Sequence, residues 1–410
     1  MFQLLKYRVF YGWMIVAASL VIFSTLIGIR VTFGVFFKSL EFEFDITRAA
    51  ISSIFSVHMV IYAIFAIITG WALDRYGPRI IVSFMGIFTG LSLLITSQVT
   101  SVWQMYLSYS LLLAIGMGGF IPLLMAVIPR WFDKKRGLAL GIATSGFGLG
   151  PVIMAPFAAY LIANLGWRNT YIVLAVIAVI VVLSLARVFR REPGEIGALP
   201  DGIKRDTHAI GPMVDVPSIE LDGLSLLQTL RRKKFWLMFC MWFFLASSNN
   251  LISTHIIPYA TDVGISTIEA ATIFSIMGGV QILSRLIFGR IADVAGSRIP
   301  AVISALFGAG ALLWLIWSHD LMMLYLFAIF FGLAWGGLGV NILALSSELF
   351  ESPNLGAIFG ALEIGFALGG AAGPLLGGII FDTTGSYTMA FVAGATAMLI
   401  MALLVILTKR

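Results

Sequence analysis

Long apolar runs alternate with short clusters of charge, glycine and proline along the whole chain. Twelve runs can be separated, at about 11–37, 48–73, 80–98, 102–128, 137–163 and 167–189, then 234–262, 267–292, 299–317, 321–348, 354–380 and 386–408. Each suffices to cross a hydrocarbon layer about 30 Å thick at ~1.5 Å per residue, so each predicts a membrane-spanning helix. The first run exceeds the apolar core of a cleaved signal and is read as a retained helix. An even number of spans places both termini on one side. Residues 190–233 interrupt the pattern with a polar, proline-bearing stretch.

Composition agrees with the pattern and narrows the class. Of 410 residues, 60% are hydrophobic and 11% charged, with a mean hydropathy of +1.01. Soluble domains carry roughly a quarter charged residues, so this chain is a polytopic membrane protein whose surrounding partner is the lipid bilayer. A soluble enzyme, a secreted disulfide scaffold and a free nucleic-acid-binding domain are excluded. The lone Cys240 permits no internal disulfide. The net charge of +6 matters less than its placement. Twenty-one of 26 Lys and Arg residues fall on the side of the termini and the central stretch, and only Lys38, Arg48 and Arg168 on the other. The positive-inside rule then puts the termini and central loop in the cytoplasm, in the cell (inner) membrane.

An internal repeat divides the chain. Gly70, Asp74, Gly77 and Arg79 form G-x3-D-x2-G-x-R, and Gly289, Asp293, Gly296 and Arg298 repeat it 219 residues later. The same offset carries Gly137, Gly141, Gly146, Phe147, Leu149 and Gly150 onto Gly356, Gly360, Gly365, Phe366, Leu368 and Gly369. Duplicated halves related by an axis along the membrane normal are a transporter plan. The expected domains are a six-helix bundle over 1–189, a cytoplasmic linker over 190–233 and a second bundle over 234–410. Glycine suits the tight turn of the repeated loop, while Asp74, Arg75, Arg79, Asp293 and Arg298 can pair with each other and with exposed helix ends. Two readings are open: a cytoplasmic gate between bundles, or a turn with topology-setting arginines.

The loop Asp74-Arg75-Tyr76-Gly77-Pro78-Arg79, with its degenerate copy at Asp293–Arg298, resembles the signature of the major facilitator superfamily. The resemblance spans the chain and implies an all-α fold of twelve helices in two pseudo-symmetric bundles. Within that superfamily, Gly28-Ile29-Arg30 followed by Phe33 to Lys38 resembles the first span of monocarboxylate transporters and related bacterial organic-anion porters. Arg130-Trp131-Phe132 with Lys134 to Gly137, and Phe274-Ser275-Ile276 through Arg285, resemble further segments of that group. The likeness implies a substrate-binding role for Arg285. It departs at Gln281, where animal members carry an aspartate, and near Arg30, where they carry a lysine tied to proton coupling. Arginine does not release a proton near neutral pH, so that role does not transfer.

Three permanently ionisable groups lie well inside spans: Arg30, Arg285 and Glu363. Each central charge costs roughly 2.5–3.5 kcal/mol on insertion scales and is retained when it faces a wet cavity or a partner. Arg285 offers a planar fork for a carboxylate, and the open alternative is a permanent Arg285–Glu363 pair. Arg30 corresponds through the repeat to Asn249, beside Asn250, which suggests a shared cavity; the alternative is snorkelling to the interface. Asn341 is a further hydrogen-bonding candidate. Proton carriers are Glu363, His255 and His58, with packing the competing role for the histidines. Nucleotide, zinc and nucleophile-elbow motifs are missing, so no enzyme activity, cofactor or metal is expected. The expected function is secondary transport of small carboxylate anions by a monomer, as proton symport of a monocarboxylate such as lactate or pyruvate. Exchange of short dicarboxylates such as oxalate, drug export and ligand sensing without transport remain as alternatives.

Overall fold

In the computed structural model, residues 10–202, 226–350 and 355–408 are described. Lys6, Arg8, Lys204, Arg205, Lys409 and Arg410 lie outside them, as does the side chain of Asp293. Among the described residues the regular structure is helical. The first pass is α1 (Tyr11–Val31) continued, after Thr32, by α2 (Phe33–Phe44). The Thr32 hydroxyl donates to the Ile29 carbonyl at 2.6 Å at this break. The second and third passes are α3 (Arg48–Tyr76) and α4 (Pro78–Thr96). The fourth combines α5 (Val102–Met105), a π-helical turn at Tyr106–Leu112, α6 (Leu113–Met117) and α7 (Phe120–Trp131).

The fifth pass is α8 (Arg136–Thr144) with the part of α9 (Gly146–Ala186) before Gly166, the sixth is the rest of α9, and here the sequence expectation needs a refinement. No loop of several residues separates them. The chain turns at Gly166 alone, whose φ of +77° and ψ of 164° are outside the helical region. The 51 residues from Arg136 to Ala186 form one of eleven apolar helical segments, among the described residues, long enough to cross a membrane. At ~1.5 Å per residue they are long enough to cross twice, giving twelve passes. The remaining passes follow a short α10 (Leu226–Leu230): α11 (Lys233–Asp262), α12 (Thr267–Ala295), α13 (Arg298–Trp314), α14 (Leu321–Leu349), α15 (Leu355–Thr384) and α16 (Thr388–Leu407).

Packing repeats at the offset seen in the sequence. Pass 1 packs on 5, 2 on 4 and 3 on 6; pass 7 packs on 11, 8 on 10 and 9 on 12. The turn conformations recur as well, at Gly77 and Gly296, Gly166 and Gly385, and Asp45 and Gly264, all with positive φ and all 219 residues apart. Gly150 explains one repeated glycine: a Cβ there would meet the Ser24 carbonyl at 2.5 Å, and Gly369 abuts the equivalent Phe243 carbonyl. Such small residues let two helices approach backbone to backbone. One apolar core is built from residues of the first six passes, and a second mainly from the last six.

Between the halves, pass 2 packs on 11 and pass 5 on 8. Ser56 Oγ donates across this boundary to the Ala371 carbonyl at 2.6 Å, and Ser275 Oγ to the Val152 carbonyl at 2.9 Å. Donor and acceptor of the second bond are the 219-residue equivalents of the first bond's donor and acceptor, so the halves meet about a pseudo-twofold axis.

Candidate functional site

The three charges inside the spans lie at or near the contact between the halves, but in separate settings. Arg30, on α1, is 7% exposed. Its guanidinium carbon stands 5.7 Å and 5.9 Å from the ring centres of Tyr62 and Phe120, on α3 and α7. Facing the other half, Arg30 shares the wall of a cavity of about 20 Å³ with Phe33, Phe55, Asn249, Asn250 and Ser253. That volume holds about one water. The repeat-related positions 30 and 249 therefore meet in space, and the snorkelling alternative for Arg30 does not apply. Asn250 is buried and spends one amide proton on the Ala246 carbonyl at 2.9 Å.

Arg285, on α12, is held from two sides. Its Nη1 donates to the Thr144 carbonyl at 3.1 Å, across the boundary between the halves. The Gln281 amide, oriented by its two donor neighbours, places its oxygen 3.2 Å from Arg285 Nη2 and 2.7 Å from Trp335 Nε1. The guanidinium lies 5.3 Å from the Phe147 ring centre, and Nε has no protein partner. The open alternative of an Arg285–Glu363 pair is not realised: among the described residues, no ion pair within 4.0 Å involves Arg30, Arg285 or Glu363. Glu363 is half-buried on α15, which packs against α3 of the other half.

The other predicted residues are dispersed. His255 is buried, but it is fixed in a network rather than among the cavity walls. Its Nε2 lies 2.8 Å from the Pro374 carbonyl and 3.2 Å from Ser52 Oγ, and its Nδ1 3.0 Å from the Tyr387 hydroxyl. A carbonyl only accepts, so the proton sits on Nε2 and Nδ1 accepts from Tyr387. His58 is fully buried against the rings of Phe55, Tyr62 and Tyr109, with neither ring nitrogen hydrogen-bonded. Asn341 is also fully buried, donating to the Gly337 carbonyl of its own helix at 2.7 Å, while its Oδ1 has no partner.

At the face carrying the termini, the Asp74 carboxylate pairs with Arg130 at 3.0 Å within the first half. Arg191 of the linker donates to the Asp74 carbonyl at 2.7 Å. In this conformation, then, Asp74 joins its own half to the linker, not one half to the other. Gly77 and Gly296 supply the expected turns, and Arg298 retains a buried Nη2 without a partner. Sequence reasoning passed over Gln281 as a holder of Arg285; its spacing four residues earlier on the same helix face was the available signal.

Comparison with known proteins agrees with this architecture. The model of the Major Facilitator Superfamily matches residues 16–350 and 256–410. Rat monocarboxylate transporter 13 is 25% identical over 94% of this chain and 86% of its own length. Human monocarboxylate transporter 12 is 24% identical over 93% and 77%, and mouse monocarboxylate transporter 2 is 25% identical over 95% and 82%. A bacterial homologue of the human lysosomal transporter Spinster, solved inward-facing and unoccupied, superposes with a TM-score of 0.73 at 17% identity, covering 97% of this chain and 95% of that one. With a twelve-pass duplicated fold and a family match over most of its length, the chain belongs to the major facilitator superfamily of transporters.

Proposed function

We propose that this chain carries small carboxylate anions across the cell (inner) membrane by alternating access, as proton symport of a monocarboxylate such as lactate or pyruvate. The observation carrying the reading is Arg30: a buried cation between the halves, without a carboxylate within 4.0 Å among the described residues, sharing a cavity wall with Asn249 and Asn250. A fixed charge that no internal anion offsets is stabilised when an anion arrives. Arg285 is the second anion receptor, with Nε free and its other nitrogens pre-oriented by Thr144 and Gln281. The monocarboxylate transporters among the relatives support the substrate class.

The bundles 1–189 and 234–410, joined by 190–233, rock about this level with the termini on the cytoplasmic side, and the monomer is the working unit. The repeated turns Gly70–Arg79 and Gly289–Arg298 act as the cytoplasmic gate when the halves close there. Glu363 is the favoured proton carrier, because it is a half-buried acid on α15, which packs against α3 of the other half, and because His255 and His58 are enclosed by packing. A second reading has one observation in its favour: among the described residues Arg30 and Arg285 are both without carboxylate partners, as exchange of a short dicarboxylate such as oxalate would use. Proteoliposome uptake of labelled lactate, oxalate and a lipophilic cation, with and without a pH gradient, separates these readings. Arg285→Ala and Arg30→Gln each abolish uptake of the true substrate while the protein still folds; retained uptake refutes the assignment. Glu363→Gln removes accumulation driven by a pH gradient but spares counterflow.

A further inference from the structure

The face opposite the termini joins the halves by charge, and the transport reading does not account for it. Arg48, the first residue of α3, is only 4% exposed. Its Nη1 and Nη2 donate to the two oxygens of Asp262 at 2.6 Å and 3.0 Å, and its Nε to Glu41 at 2.9 Å. Nη1 also donates to the Tyr387 hydroxyl at 2.9 Å, and the guanidinium lies 3.6 Å from the centre of the Phe381 ring. Lys38 reaches the same Asp262 at 2.6 Å and Glu41 at 3.0 Å. The backbone N–H groups of Arg48 and Ala49, the orphan donors of a helix start, donate to the Asp382 carboxylate at 3.0 Å and 2.8 Å.

Lys38, Glu41 and Arg48 belong to the first half; Asp262, Phe381, Asp382 and Tyr387 belong to the second. Among the described residues, both cation–carboxylate partnerships that cross between the halves lie here, Lys38–Asp262 and Arg48–Asp262. The other ion pairs, Arg168–Glu43, Arg130–Asp74 and Arg190–Glu195, stay within the first half and linker. We infer that Arg48, Lys38 and Asp262 form a reversible lock that keeps the entrance on this face shut, broken and remade in each alternating-access cycle. Glu41 makes the lock reversible. It sits on the same half as both cations and stays with them when Asp262 departs, so Arg48 is neither bare nor free to reorient. Asp382 adds a second clasp, a carboxylate from one half closing a helix end of the other, which separation exposes to water.

The lock is independent of which anion is carried, so its test uses no substrate. In a Cys240→Ser background, Ser253→Cys places a thiol on the wall of the cavity beneath the lock. A membrane-impermeant maleimide is added from the face opposite the termini to sealed vesicles of known orientation. Asp262→Asn is expected to raise the labelling rate about tenfold, because one partner of a largely buried pair is lost and the open population grows. Glu43→Gln removes a carboxylate on the same face that pairs only within its own half, and is expected to label at the parent rate. Labelling of Asp262→Asn at the parent rate, or an equal rise with Glu43→Gln, overturns the lock. If Asp262→Asn does not fold, Lys38→Gln decides: it removes the more exposed crossing pair, a faster rate supports the lock and an unchanged rate refutes it. Loss of uptake in any of these variants bears on the transport reading alone.

Discussion

Replacing Tyr387 by phenylalanine deletes one oxygen from the centre of the far-face network and leaves the ring. The ring keeps its neighbours, with centroids 4.7 Å from Phe381, 5.2 Å from His255 and 5.9 Å from Phe391. The hydroxyl accepts from Arg48 at 2.9 Å and donates to His255 Nδ1 at 3.0 Å. The first bond is charge-assisted and worth about 1.5–3 kcal/mol, the second about 0.5–1.5 kcal/mol. Arg48 keeps Asp262 and Glu41, so no charge is stranded, but His255 Nδ1 becomes a buried acceptor without a donor. The expected loss is about 2–4 kcal/mol of unfolding free energy. It is read by denaturant titration in micelles with tryptophan fluorescence, with the slope unchanged. The double variant with His255→Leu should cost less than the two single changes together, because the stranded acceptor is gone. A loss below about 0.5 kcal/mol would show that the hydroxyl does not bridge the two groups.

Other consequences are testable in the same preparations. Gln281→Glu gives Arg285 an internal carboxylate that competes with an incoming anion, so KM for substrate should rise by about tenfold or more; an unchanged KM would remove Arg285 from the binding step. A Cβ at Gly148 would already meet the Gly278 carbonyl at 2.7 Å, so Gly148→Leu should splay passes 5 and 8, cost about 1–3 kcal/mol and stop uptake. Gly141→Ala, with nothing within 4 Å of its added methyl, should do neither. Asp201 accepts the Lys134 and Asp133 backbone N–H groups at 2.8 Å and 3.1 Å, and these amides hold its carboxyl below the usual carboxylate range. The docked linker therefore favours the ionised form. Hydrogen-exchange protection of the two amides should be full above about pH 5 and fade only below about pH 4; fading at higher pH would contradict the geometry.

The count of passes and the duplication were legible because both rest on local signals, apolar length and residue identity at one offset. The turn at Gly166 was blurred because a single glycine with positive φ replaces the polar loop that normally marks a boundary. The pairing of positions 30 and 249 in one cavity followed from the repeat, since duplicated halves about an axis bring equivalent residues to the same depth. Arg285's dependence on Thr144 was hidden, because a backbone carbonyl 141 residues away leaves no trace in residue type. The far-face network was hidden for a different reason: its partners are separated by more than two hundred residues. A hint was nonetheless present in the three cations that defy the charge bias. Lys38, Arg48 and Arg168 are all engaged in ion pairs, which gives each a role other than orienting the chain.

The twofold relation between the halves has a chemical corollary. Backbone turns, glycine crossings and serine-to-carbonyl bonds obey it, yet the three intramembrane charges all break it. Arg30 corresponds to Asn249, Arg285 to Ala66 and Glu363 to Thr144. A framework with equivalent sides thus encloses an interior with a polarity of its own, one cation from each half and an acid from one alone. A guest with unlike ends meets a different reception at each side of the axis and can be held in one orientation by a scaffold that has none.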